Sequence, residues 1–350
     1  MKTEYSKTEK VLGIVYAYSD KNCYDMVLDL GLEWIRLNIP FPWADKMHGT
    51  VRPEWTAVKG KFKEAVDAGL KVIPSAPTMG GWSYNEKEKI TRWHDEWPDF
   101  VGEKGTDEYY ANVRAAAAFM CKDLGDLAKD IWQCMNEIDI ETFRGHYSIE
   151  VAADTCRAIA EGIVSVNPNA RCGHNFAGWN KESAKVGDLL FRPGHKFAYC
   201  GDDQYYGSWQ SGAVEDWKAA IDEMYARYGL PIFINEWGYS SSGATLAERP
   251  EVITEGWADV CMTKSWYHEV DGGHTPEVAA EYFRRGLEIF AEHPHVMGCL
   301  LFCFSDAYTC WHCGQENCPA ECSWGITDVD CNPKPAYWAV QKAIKEYYCK

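Results

Sequence analysis

Two apolar runs in this 350-residue chain end in a carboxylate, and a pair of carboxylates is the equipment for cleaving a glycosidic bond. The first run is Ile131-Trp132-Gln133-Cys134-Met135-Asn136-Glu137, an amide beside an acid. The second is Pro231-Ile232-Phe233-Ile234-Asn235-Glu236-Trp237-Gly238, an acid beside an aromatic ring. In a retaining hydrolase one carboxyl group attacks the sugar while the other protonates the leaving oxygen, the two standing about 5–5.5 Å apart. The acid must keep its proton at working pH, so its neighbours cannot favour the anion. The nucleophile must be ionised, so hydrogen-bond donors should surround it. Glu137 fits as acid/base and Glu236 as nucleophile. Asn136 supplies an amide for the hydroxyl next to the reacting carbon. Arg36 offers the nucleophile a fixed positive charge, and Tyr205 a phenolic donor.

Each residue also has a plainer role open to it. An Asn-Glu step after an apolar run is common, and Arg36 alone could be a structural ion-pair partner. His174 reads as a capping or hydrogen-bonding residue rather than a catalyst. What joins the set is position, because all fall where an apolar run gives out, in order along the chain. Sixteen Trp and twenty Tyr add flat rings of the kind sugar faces stack on. Trp82, Trp179, Trp209, Trp237, Phe304 and Trp311 are the candidate platforms, against the plainer reading that most rings are core.

Such residues need a scaffold of strands, and apolar runs alternate with helical patterns from end to end. Strands are expected at Val11 to Tyr18, Glu33 to Asn38, Lys71 to Ser75, from Ile131, Arg171 to Phe176, from Phe197, Pro231 to Trp237 and Val296 to Phe302. Their near-continuous apolar character suits strands covered on both faces, as in a parallel sheet wrapped by helices. Helices are expected around Tyr24 to Leu30, Pro53 to Gly69, Thr106 to Leu124, Ser148 to Val166, Val214 to Tyr228, Pro276 to His293 and Tyr337 to Tyr347. A long loop holding Trp82, Tyr84, Trp93 and Trp97 follows the third strand, and long segments follow the seventh and eighth. The pattern predicts one (β/α)8 TIM barrel of the α/β class filling residues 1–350, with Glu137 and Glu236 at the carboxyl ends of strands four and seven, the catalytic face of such a barrel.

That arrangement resembles clan A of the glycoside hydrolases, barrel enzymes with the acid/base on strand four and the nucleophile on strand seven. The matching residues are Arg36, Asn136-Glu137, Tyr205 and Glu236. Gly325-Ile326-Thr327-Asp328-Val329-Asp330, running on to Lys334-Pro335-Ala336-Tyr337, is similar to the clan's ending after strand eight. The resemblance implies hydrolysis of β-linked oligosaccharides or glycans with retention, through a glycosyl-enzyme intermediate, without a catalytic cofactor. Two departures bear on the substrate. Asp203 stands where the clan often has His, and Cys303-Phe304 where it usually has Trp, so Trp311 is the candidate for the missing platform. Within the clan no one family is singled out, nor which sugar or linkage.

Composition narrows the partners. With 52 acidic and 35 basic residues the net charge is −17, which disfavours nucleic acid and anionic membranes and suits a neutral carbohydrate. No run reaches transmembrane length and no leader segment is visible, so the chain reads as cytoplasmic, or as the mature part of a secreted protein. Oligomeric state is left open. Most of the fifteen cysteines stand singly in apolar settings. Cys310, Cys313, Cys318 and Cys322 crowd one loop, where four thiols could hold a structural zinc, with iron–sulfur ligation or two disulfides as alternatives. Two rival functions remain. A catalytically silent sugar-binding barrel would not need both glutamates with Arg36 and Tyr205. A barrel aldolase or metal-dependent hydrolase would want a Lys or clustered His at strand ends, which the chain does not offer.

Overall fold

The structure, a computed structural model, describes residues 4–19, 21–249, 251 and 254–349. Eight strands build a closed barrel: β1 (Val11–Val15), β2 (Trp34–Asn38), β3 (Lys71–Ser75), β4 (Ile131–Gln133), β5 (Arg171–Phe176), β6 (Phe197–Gln204), β7 (Ile232–Trp237) and β8 (Val296–Leu301). Each neighbours the next in sequence, and β8 closes on β1 in parallel, Val11 opposite Gly298. Every residue of β1, β7 and β8 is buried, as expected of strands covered on both faces.

Eight helices follow the strands in turn: α1 (Tyr24–Asp29), α2 (Pro53–Asp67), α3 (Asp107–Leu124), α4 (Ile149–Val166), α5 (Lys181–Leu190), α6 (Trp217–Tyr228), α7 (Pro276–Glu292) and α8 (Pro335–Tyr347). Their starts are chemically marked. The side chains of Thr106, Ser148, Asn180 and Thr275 accept backbone N–H bonds from the first turns of α3, α4, α5 and α7. Proline opens α2, α7 and α8, where its missing N–H costs no hydrogen bond. The Tyr337 hydroxyl donates to the Met26 carbonyl at 3.0 Å, docking α8 on α1. This is a (β/α)8 barrel, as the alternation of patterns predicts.

The chain divides into two compact units, one of Trp34–Gly81 with His94–Asp202, the other of the residues before Trp34, Trp82–Trp93, and Asp203 onward. The first holds β2 to β5 and most of β6. Its registers set Ser75 opposite Gln133, and Gln133 opposite Gly173. The second holds β1, β7 and β8, with Cys299 opposite Ile234.

Three details differ from expectation. The long loop after β3 contains a two-stranded ribbon, Gly80–Asn85 with Ile90–Asp95, whose half-exposed strands lack a continuous apolar run. Helix α5, required by the strand–helix alternation, has no bounds legible in the sequence, because only Ser183, Val186, Gly187 and Leu190 of its ten residues are buried. The stretch after β7 forms a short ribbon, Ala244–Thr245 with Ser265–Trp266, and a helix at Asp259–Thr263. Among the described residues no helix is long and apolar enough to cross a membrane.

Candidate active site

β4 stops at Gln133, and its continuation turns sharply. Met135 and Glu137 both have positive φ, 64° and 42°, a conformation that residues other than glycine seldom adopt. Strained backbone of this kind persists only where surrounding contacts over-determine it. Here they do. The Cys134 N–H donates to the Gly173 carbonyl at 2.7 Å, the Glu137 N–H to the Asn175 carbonyl at 3.2 Å, and the Thr78 hydroxyl to the Asn136 carbonyl at 3.1 Å.

The Asn136 side chain is fixed as firmly. Its Oδ1 accepts from Gln133 Nε2 at 3.0 Å and from Asn175 Nδ2 at 2.9 Å. Two amide donors on one oxygen settle which end of the Asn136 amide is which, so its NH2 is the end that can serve a ligand. Gln133 is the hub: its Oε1 accepts from Arg36 Nη1 at 3.0 Å, so β2 is tied through β4 to the Asn-Glu step. The sequence reading missed Gln133 and Asn175. For Gln133 the signal was a polar residue inside an otherwise apolar run, whereas Asn175 stands in a strand of mixed character beside His174; both are fully buried. Glu137 itself is 8 % exposed and Arg36 4 %.

Beyond that step, Asp139 receives the Ala177 N–H on both carboxylate oxygens, at 3.1 and 3.2 Å. Burial nonetheless pushes its carboxyl up to about 7, with the Ala177 bond pulling the other way. His174 is fully buried, its Nδ1 2.9 Å from the Cys134 carbonyl, and burial lowers it to about 4. It is a neutral brace for the turn after β4, in keeping with the plainer role expected of it.

In the other unit, Glu236 is the penultimate residue of β7, 6 % exposed. The Tyr205 hydroxyl, just past β6, donates to Glu236 Oε2. Tyr205 is held in turn: its N–H donates to Gln210 Oε1 at 2.7 Å, and its ring meets Trp324 and Phe302 edge-on at 4.9 and 5.7 Å. Asp203 is fully buried at the end of β6.

The candidate sugar platforms sort by burial. Trp82, Trp179, Trp209 and Trp311 are half-exposed, as a stacking ring must be. Trp237 is not a platform: it has no exposed surface and packs against Phe283 and Phe290 of α7 at 5.2 and 4.9 Å. Side chains alternate along a strand, so the neighbour of an inward Glu236 faces the helix layer. Phe304 is likewise corrected, being fully buried and stacked on Tyr16 at 4.9 Å. Trp324 was not foreseen, and it is the tryptophan that braces Tyr205.

The cysteine set is also corrected. Cys261, Cys310, Cys313 and Cys318 bring their sulfurs within 4.8 Å of one another. Cys322 is outside that group, with its thiol toward the Gln315 carbonyl at 3.9 Å. The replacement comes from the segment after β7, at a sequence distance no local spacing could reveal.

No known protein family matches the chain by sequence, and no curated protein does. Solved structures match it by fold. A β-glucuronidase from Bacteroides uniformis aligns over 98% of this chain and 36% of its own, at TM-score 0.63 and 14% identity. A family 39 glycoside hydrolase from Bacteroides cellulosilyticus aligns over 97% and 64%, at 0.61 and 13%. Fungal β-1,4-galactanases align over 95% and 98%, at 0.62 and 14%. This chain thus spans about a third of the glucuronidase and under two thirds of the family 39 enzyme, whereas it matches the galactanases nearly end to end. At such identities the likeness is one of fold, and it is the barrel that the clan A resemblance implies.

Proposed function

We propose that the chain is a retaining β-glycoside hydrolase acting on β-linked oligosaccharides or glycans, with Glu236 as nucleophile and Glu137 as acid/base. The observation that carries this reading is the hydrogen bond from Tyr205 to Glu236. A phenol on a carboxylate oxygen sets the orientation in which the carboxylate can attack. Glu137 lies just past the carboxyl end of β4 and Glu236 at that of β7, the strand ends on which barrels of this kind carry their chemistry. A fold alone hosts many chemistries, so the weight rests on these residues rather than on the glycosidases of like fold.

In the first step Glu236 attacks the anomeric carbon, and the bond to the leaving oxygen breaks as Glu137 gives that oxygen its proton. A covalent glycosyl ester on Glu236 results. Glu137, now a carboxylate, takes a proton from water, which displaces Glu236 and releases the sugar with its configuration retained. Asn136 donates from its NH2 to the hydroxyl beside the reacting carbon. Gln133 and Asn175 position it. The reaction needs no cofactor, since the two carboxylates supply both nucleophile and proton.

Rescue by azide tests the two roles. Glu236→Ala should lose glycosylation even on dinitrophenyl glycosides, and azide should then give the α-glycosyl azide. Glu137→Ala should keep more of its rate on dinitrophenyl than on alkyl glycosides, by a gap of about 10²–10⁴-fold. Azide needs no general base, and from that variant it should give the β-azide. Exchanged products would reverse the assignment. No turnover of a broad aryl-glycoside panel by the wild type would leave the sugar-binding barrel standing instead.

A further inference from the structure

The four converging thiols lie outside the catalytic machinery and have no part in it. Cys261 belongs to the short helix Asp259–Thr263 in the segment after β7, and Cys310, Cys313 and Cys318 to the loop after β8. All four are at most 1 % exposed, and all are free thiols rather than disulfides. Each sulfur has the other three within 4.8 Å, and Cys261 and Cys310 stand 3.7 Å apart. Disulfides would draw sulfurs together in pairs at about 2.05 Å. Four ligands around one ion do something else: zinc–sulfur bonds of about 2.3 Å in a tetrahedron put sulfurs about 3.8 Å apart along every edge. The observed separations, one of 3.7 Å and none above 4.8 Å, are near the length of those edges.

The surroundings are those of thiolate ligands. Cys310-Trp311-His312-Cys313-Gly314 is a tight turn, closed by the Gly314 N–H on the Cys310 carbonyl at 2.7 Å. Gly314 has φ +66°, and a Cβ there would also strike the Tyr84 ring at 2.1 Å, so the turn calls for glycine. Lys264 Nζ lies 3.8 Å from the Cys313 sulfur, a cation beside what would be a doubly negative metal–tetrathiolate centre. Four ligands fill a tetrahedral zinc and leave no position for substrate.

We propose that Cys261, Cys310, Cys313 and Cys318 bind one Zn2+ in a closed site that clamps the segment after β7 to the loop after β8. The clamp extends to neighbouring contacts. The Thr91 hydroxyl donates to the His312 carbonyl at 2.6 Å and accepts from Trp257 Nε1 at 3.2 Å, which ties the ribbon after β3 to both clamped segments. Further along the same loop, the Ser241 N–H donates to the Ser323 carbonyl at 2.9 Å, one residue before Trp324. Trp324 braces Tyr205, so the ion fixes the loop whose far end supports the hydrogen-bond donor to Glu236.

Metal analysis of the purified wild type should return about one zinc per chain. Cys261→Ser should lose it, and Cys322→Ser should keep it. Should Cys261→Ser not fold, wild type exchanged into Co2+ decides: tetrahedral thiolate coordination gives strong d–d bands and a sulfur-to-cobalt charge-transfer band. Glu236→Ala should keep its zinc, which separates this site from the catalytic assignment. Zinc-free protein, disulfides among these four residues, iron in place of zinc, a cobalt spectrum without thiolate bands, or zinc loss in Cys322→Ser would each overturn the proposal.

Discussion

Tyr205 is the residue on which the chemistry can be read most directly. Its hydroxyl donates to Glu236, its N–H is bound by Gln210, and its ring is wedged by Trp324 and Phe302. Tyr205→Phe removes one oxygen from this arrangement and keeps the ring contacts. A hydrogen bond to a charged group contributes about 1.5–3 kcal/mol, so kcat/KM should fall roughly 10- to 150-fold with the fold intact. Unchanged steady-state kinetics in that variant would remove Tyr205 from the site. Asp139 carries a different prediction, on stability. Its carboxyl lies at about 7 in the folded chain against an ordinary 3.8, chiefly because it is buried. A group raised on folding favours the native state below its unfolded value, and that contribution is lost as pH climbs toward the folded value. The window is therefore pH 4 to 7, and stability should decline with rising pH across it. Asp139→Asn keeps an oxygen for the Ala177 N–H but cannot ionise. Melting curves should show the wild type losing more Tm between pH 4 and 7 than this variant does; parallel curves would contradict it.

At the scale of elements, β7 shows how one strand serves two layers. Glu236 and Trp237 are adjacent, yet one is the catalytic candidate and the other lies under α7 against Phe283 and Phe290. Gly286 of α7 makes the room: a Cβ on it would meet the Trp237 ring at 2.1 Å. Gly286→Ala thus sets two effects against each other. Helix propensity favours alanine by about 1 kcal/mol, while overpacking costs roughly 1–3 kcal/mol. With a rigid indole as obstacle the second should win, and calorimetry should show a lower Tm; a raised Tm would mean that the helix simply moves aside. The strands themselves were legible because buried parallel strands are written as near-continuous apolar runs, as in β7 and β8. Glu137 and Glu236 were legible because each closes such a run. Gln133 was not, since a buried polar hub inside β4 declares its purpose only when Arg36 and Asn136 reach it. Cys261 escaped for a related reason: local spacing finds thiols from one loop, and the fourth of the cluster comes from another.

Taken as a whole, the molecule carries a net charge of −17, and that field acts on anything that approaches it. A neutral glycoside feels little of it. A uronide, with a carboxylate on the sugar, is repelled during its approach and must find a cation to pair with on arrival. The likeness in fold to a glucuronidase does not bear on this choice, because at 14% identity it says nothing of the sugar. Charge does, and salt is the instrument that separates the two cases. The Debye length is about 30 Å at 0.01 M ionic strength and about 10 Å at 0.1 M, so added salt hides most of the long-range field. Association of an anionic substrate with an acidic protein should therefore quicken as salt rises, while that of a neutral substrate stays level. The measurement is kcat/KM for an aryl β-glucoside and an aryl β-glucuronide at several sodium chloride concentrations. The neutral substrate should be preferred at low salt, with the uronide gaining on it as salt increases. A uronide preference that salt weakens would place a strong local cation beside the sugar and set the acidic shell aside as a determinant of substrate.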